Sequence, residues 1–282
     1  ANADYFVPLQ GVGASVNGST NLDRTNYYEQ LSSEYLPLAL WMEADRMGWL
    51  LPVLDDERLR NQKDVVRNER RQNYENRPYG DVWITLLANL FPPSHPYHHA
   101  TIGSHEDIEA ASLDDVHGFF RAYYTPNNAT LTVVGDFDPA EARDWIEKTF
   151  GPVPAGEEPP AVTVPRFRRK VQTVIRHEGD VPLHKVWIAW PTPALFAPGD
   201  AELDLLSKIL ADGKESRLYS ALVHEQQIAK EVRAYQRSSQ YGSAYVIQAT
   251  ATDGHTTDEV VAAIDVILGE LARTPPAAEE VE

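Results

Sequence analysis

The sequence contains no cysteine. Disulfides, thiolate metal sites and cysteine nucleophiles are therefore excluded together, and the chain suits an oxidising or a reducing compartment equally. Long apolar runs are missing too. None approaches the ~20 consecutive apolar residues that cross a bilayer, so no membrane span is expected. Basic residues are scarce, 25 Lys and Arg against 42 Asp and Glu, which leaves a net charge of −17. Repulsion from phosphate argues against nucleic acid or anionic lipid as a partner; a neutral or cationic ligand is easier to accommodate. A targeting segment is also not visible. Ala1-Asn2-Ala3-Asp4 opens neither a basic nor an apolar leader, so any such segment is expected to be missing or removed. The compartment stays open between extracytoplasmic (periplasmic) and cytoplasmic.

With 282 residues, 43% of them hydrophobic and 10% aromatic, the chain reads as globular and long enough for two units with their own cores. Gly11, Gly13, Asn17 and Gly18 followed by Thr25-Asn26-Tyr27-Tyr28 suggest a short strand pair. Leu36, Leu40, Ala44, Met47 and Leu51 then mark a helical stripe, and a second helix is expected from Asp55 to about Tyr74. Ser112 and Asp115 form a capping-box pattern ahead of Val116, Phe119, Phe120 and Tyr123. Asn128–Gly135 alternates like a half-buried strand, and Asp138-Pro139 starts another helix.

Between Gly151 and Arg169, Pro152, Pro154, Pro159, Pro160 and Pro165 with Glu157-Glu158 give a composition that builds no packed element. The expected division is a first domain over 1–152, a linker over 153–168 and a second domain over 169–282. The second domain reads strand (Val171–Arg176), strand (His184–Trp190), helix, helix, two strands flanking Tyr241-Gly242, and a helix capped by Thr256 and Glu259. Helices grouped between strand pairs predict an α+β fold: two units, each an antiparallel-rich sheet with helices packed on one face.

Leu59, Gln62, Val66, Glu69 and Asn73 share one face of the second helix by their spacing. If that face turns inward, Glu69 is a carboxylate that needs a partner or a metal. Alternatively the helix is a solvated, charge-rich one, with Asp64, Arg67, Arg71 and Glu75 in local pairs, and spacing alone favours this second reading. His95, His98 and His99 lie close together, but Pro96 breaks their presentation and no carboxylate stands at ligand spacing, so a polar loop is expected there. Ser216 and His224 lack a G-x-S-x-G elbow, and Gly11-x-Gly13 lacks a third glycine; neither a triad nor a dinucleotide site follows.

Several stretches carry a resemblance. Val65-Val66-Arg67-Asn68-Glu69-Arg70-Arg71 followed by Tyr74-Glu75-Asn76-Arg77-Pro78-Tyr79-Gly80 resembles the helix that supplies the last zinc ligand in the pitrilysin/insulinase family of zinc metallopeptidases. Val16-Asn17-Gly18-Ser19-Thr20, with Thr25 and Tyr27 after it, resembles that family's substrate-pairing edge strand. His95-Pro96-Tyr97, Ile102-Gly103-Ser104, Tyr124 to Asp136 and Ser216-Arg217-Leu218-Tyr219 are similar in the same order along nearly the whole chain. The resemblance implies an inverted zincin, in which an H-x-x-E-H helix gives two ligands and a base and a later glutamate, here Glu69, closes the site. It implies zinc as the cofactor of the intact enzyme and peptide as its substrate, met by Asn17 and Gly18 through β-augmentation. A second family-type half or subunit is the implied partner.

The departures qualify this. No H-x-x-E-H occurs among the nine histidines, so the resemblance implies a chain truncated after that helix, holding zinc only weakly. Gln62 stands where many relatives carry a supporting glutamate. Val223 and Lys230 match positions where active relatives use an arginine and a tyrosine. The expected function is a fragment of a zinc-dependent metalloendopeptidase, inactive as given; the alternative is a non-catalytic family subunit that scaffolds an active partner or binds peptides.

Overall fold

The computed structural model describes residues 2–165, 167–168 and 171–281. Arg166, in the expected linker, and Arg169 and Lys170, at the start of the expected second domain, lie outside the described residues, as do Ala1 and Glu282 at the termini. In chain order the first elements are α1 (Asn2–Gly11), β1 (Ser15–Thr20), β2 (Thr25–Gln30), α2 (Leu36–Val53), α3 (Asp56–Arg70) and α4 (Val82–Leu90). Then come α5 (His105–Ala110), α6 (Leu113–Tyr123), α7 (Pro139–Phe150), β3 (Lys185–Thr192), α8 (Asp200–Ala211) and α9 (Arg217–Tyr219, continued by a π turn to Glu225). β4 (Ala229–Arg237), β5 (Ser243–Ala251), α10 (Thr257–Arg273) and α11 (Ala278–Val281) complete the chain. The fold is α+β with small antiparallel sheets. No helix among the described residues is long and apolar enough to cross a membrane.

The chain divides into two compact units, Ala1–Asn73 with Thr101–Thr163, and Tyr74–Ala100 with Val164–Glu282. In the first unit, β1 and β2 form a hairpin in which Gly18 stands opposite Tyr27. Asn21 closes its turn, Oδ1 accepting from the N–H groups of Asp23 and Arg24 at 2.9 Å each, as an Asx turn does. α2 carries Pro37 in its first turn, where a missing N–H costs nothing. It buries Ala39, Leu40, Met42 and Ala44 and packs on α7. Asp55, Ser104, Ser112 and Asp138 cap α3, α5, α6 and α7 by accepting from backbone N–H groups. At α6 the expected capping box is complete, with Asp115 N–H to Ser112 Oγ at 3.1 Å and Ser112 N–H to Asp115 Oδ2 at 2.8 Å.

This unit has little interior. Leu9, Leu40, Met42, Ala142 and Val153 are buried, yet Trp41 is 53% and Val134 89% exposed. The stretch expected as a strand over 128–135 forms no ladder: Pro126–Asn128 is a 3-10 turn and 129–134 is irregular. Its alternating Thr130, Leu131, Thr132 and Val133 suit a strand, but a strand exists only beside a partner, and none of the described strands pairs with it.

The second unit has a proper core. β5 lies between β3 and β4, both antiparallel, with Ile188 opposite Ile247 and Ile247 opposite Ala234. Leu210, Leu218, Leu222, Ile247, Val260 and Ile264 are fully buried in one cluster joined by α8, α9 and α10. Period-two alternation turns Trp187 and Gln248 to the other face, where Trp187 Nε1 donates to Gln248 Oε1 at 3.1 Å. The expected strand over Val171–Arg176 is absent. Val171 and Val174 remain 76% and 68% exposed, and without burial nothing offsets the entropy of ordering them into a ladder.

Candidate functional site

α3 is pinned by its basic face. Lys63 Nζ donates to the Glu109 carbonyl at 3.0 Å, Arg67 Nε lies 3.4 Å from His105 Nδ1, and Arg70 donates to the Gly103 carbonyl. Those contacts, with half-buried Leu59 and Val66, define the side of α3 that faces α5. Gln62, Val65 and Glu69 lie on the exposed side. The stripe read from spacing is thus split: Leu59 and Val66 turn toward protein, while Gln62, Glu69 and Asn73 do not. Just past Glu69 the helix widens into a π turn, Arg71–Glu75, an irregularity that recurs at functional sites.

Among the described residues no group of three or more His, Asp or Glu is placed to hold a metal ion. A catalytic zinc site uses three protein ligands. Glu69 is at most one of those ligands, and the described residues place no two others with it.

The sequence run after Glu69 has a structural explanation within the second unit. Tyr79 adopts φ +60°, its hydroxyl donates to the Leu183 carbonyl, and its ring lies 5.6 Å from that of Trp187. Gly80 follows because a Cβ there would sit 2.3 Å from the Tyr74 carbonyl oxygen. Gly80→Ala is expected to cost about 1–3 kcal/mol through forced backbone displacement; chemical denaturation of the variant checks this. His95 is likewise structural and not part of a polar loop. It is 2% exposed, Nδ1 accepts the Tyr97 N–H at 3.0 Å, and its ring stacks on Phe91 at 4.5 Å. Burial holds its imidazole below the usual histidine range.

Asn17 and Gly18 lie exposed on β1. Asn17 Oδ1 accepts the Gly18 N–H at 2.8 Å, and β1 pairs on one side only, with β2, leaving its other edge without a strand among the described residues. Val223 packs against the core of the second unit, and Lys230 sits exposed at the irregularity in β4 between Ala229 and Glu231. No motif pointed to a polar cluster of Tyr5, Glu29, Glu43 and Arg46 between α1, β2 and α2. Its one sequence signal is Glu43 and Arg46 at i,i+3 on a helix whose only other charged residue is Asp45.

Residues 110–282 match the family model described as the peptidase M16 inactive domain. The chain belongs to the M16 peptidase family. It is 31% identical over 238 residues to the zinc protease PqqE of Helicobacter pylori, covering 83% of this chain and 53% of that protein. It is 24% identical over 220 residues to human cytochrome b-c1 complex subunit 1, covering 77% of this chain and 44% of that one. A crystal structure of a protease from Helicobacter pylori superposes with a TM-score of 0.85 at 26% identity, over 98% of this chain and 67% of that chain. The chain spans about half the length of the curated relatives it matches.

Proposed function

We propose that this chain is the framework part of a zinc-dependent metalloendopeptidase that cuts peptides or small unfolded proteins. It would contribute Glu69 as one metal ligand and the open edge of β1, at Asn17 and Gly18, as the seat of an extended peptide. The remaining ligands and the base would come from residues outside these 282. The observation that carries this reading is Glu69 itself, held outward by a helix whose opposite face is fixed. The kinship with a named zinc protease supports it. A second reading, a non-catalytic subunit of a larger assembly, is favoured by the similarity to a cytochrome b-c1 complex subunit.

Zinc retention separates the two. Dialysed against a weak chelator, the 282-residue chain is expected to keep far less than one zinc. Extended with the preceding part of its own gene, it is expected to keep about one zinc per chain, as a complete three-ligand site does. Stoichiometric zinc on the chain alone, or none on the extended protein, overturns the first reading, and the latter result supports the second.

A further inference from the structure

We propose that Glu29, packed into one polar cluster with Glu43, holds a proton that fastens the β1–β2 hairpin to α1 and α2, so that the hairpin loosens as pH rises. The groups meet from every element around them. Tyr5 of α1 donates from its hydroxyl to Glu43 Oε1 at 2.6 Å and lies 3.4 Å from Glu29 Oε1. Arg46 of α2 pairs with Glu43 and places its guanidinium carbon 3.6 Å above the ring of Tyr27 on β2. Tyr124, beyond α6, meets Tyr27 edge-on at 6.5 Å.

Two carboxylates therefore face one cation, and that cation is already committed to Glu43 and Tyr27. Glu29 Oε2 is buried with no hydrogen-bond partner. An ionised carboxylate left so is costly; a protonated one carries no charge and gains a donor. Like charges sharing a site raise one of the two carboxyl pKa values, as burial does. Both act here: burial first, then the charge of Glu43, push Glu29 up from 4.5 to about 7. Tyr5 is held well above its ordinary range by burial and by its bond to Glu43, and Arg46 is raised by Glu43, so neither changes charge in this window.

The direction follows by linkage. An undocked hairpin exposes Glu29 with an ordinary acidity; the docked one binds the proton more tightly. Docking is strongest below about 4.5, weakens as pH rises through about 7, and is level above that. The slope is at most about tenfold per pH unit for one proton, and solvent access to the half-buried Glu29 makes it shallower.

The test uses the 282-residue chain. Amide exchange of residues 15–30, corrected for intrinsic rates, is expected to speed up roughly tenfold between pH 5 and pH 7 and to stay level from pH 7.5 to pH 9. Amides of α6, in the same unit, serve as the internal reference and are expected to hold. Glu29→Gln should flatten the dependence, and Glu43→Gln should move it to lower pH by freeing Arg46 for Glu29. Carbon-13 titration of the Glu29 carboxyl in the unmutated chain decides the matter even where a variant fails to fold. A midpoint in the ordinary glutamate range, a level hairpin, or α6 loosening in parallel overturns the proposal. Any effect on peptide affinity rests on the role proposed for Asn17 and Gly18. The proton does not, so a hairpin that titrates yet binds no peptide counts against that role alone.

Discussion

Glu69→Gln, made in a protein that carries a complete H-x-x-E-H helix, is expected to lower zinc affinity and peptide hydrolysis together, each by roughly 100-fold or more. Loss of a residue that merely supports a ligand costs about 10–100-fold, and a ligand itself should cost at least as much. The substitution keeps size and one carbonyl oxygen but removes the charge that offsets a dication. Nothing in the fold should suffer, because Glu69 lies on the exposed side of α3 while Lys63 and Arg70 hold the other side to the 103–109 segment. Glu75→Gln, in the exposed π turn, is the matched control and should leave both quantities unchanged. Metal content by mass spectrometry and turnover of a quenched peptide read the two effects. Equal indifference to both substitutions removes Glu69 from the site.

That prediction shows how far sequence pattern reached. Helix starts were legible where a short side chain must satisfy orphan N–H groups, as at Ser112 and Thr256, because capping is decided within four residues. The hairpin was legible from Asn17, Gly18 and the run Thr25-Asn26-Tyr27-Tyr28, and not from Asn21, which closes its turn. Strands at 128–135 and 171–176 were not, because the pattern of Thr130 to Val133 states only that a strand is acceptable, while its existence depends on a partner far away in the chain. The solvated reading that spacing favours for α3 agrees with the exposed Glu69, but the division of its stripe was not legible. Val66 and Glu69 are three residues apart, close enough to share a stripe by count, yet the helix axis sets one toward protein and the other toward solvent. α1 escaped notice because Pro8 sits inside it, against the usual preference, and the Tyr5 cluster went with it. No local rule brings Tyr5, Glu29 and Glu43 together; only the packing of α1 and β2 on α2 does.

Unequal interiors give the two units different sensitivities, and Ile247→Ala measures the stronger one. Ile247 is fully buried at the middle of the central strand β5, opposite Ile188 on one side and Ala234 on the other. Removing three carbons there leaves a cavity walled by strands on both sides and by helices joined to the same cluster, so little can collapse into it. The expected loss is about 2–5 kcal/mol, and at about 2–4 °C per kcal/mol for a unit of this size the melting transition should fall by roughly 5–15 °C. Exchange protection of β4 and β5 amides should fall with it. Ile175→Ala is the control: its side chain is 44% exposed and packs in no core cluster, so the change should stay near ~0.5 kcal/mol. A loss at Ile247 no larger than at Ile175 would mean that the sheet is not the centre of this unit's stability, and that α8, α9 and α10 hold one another without it.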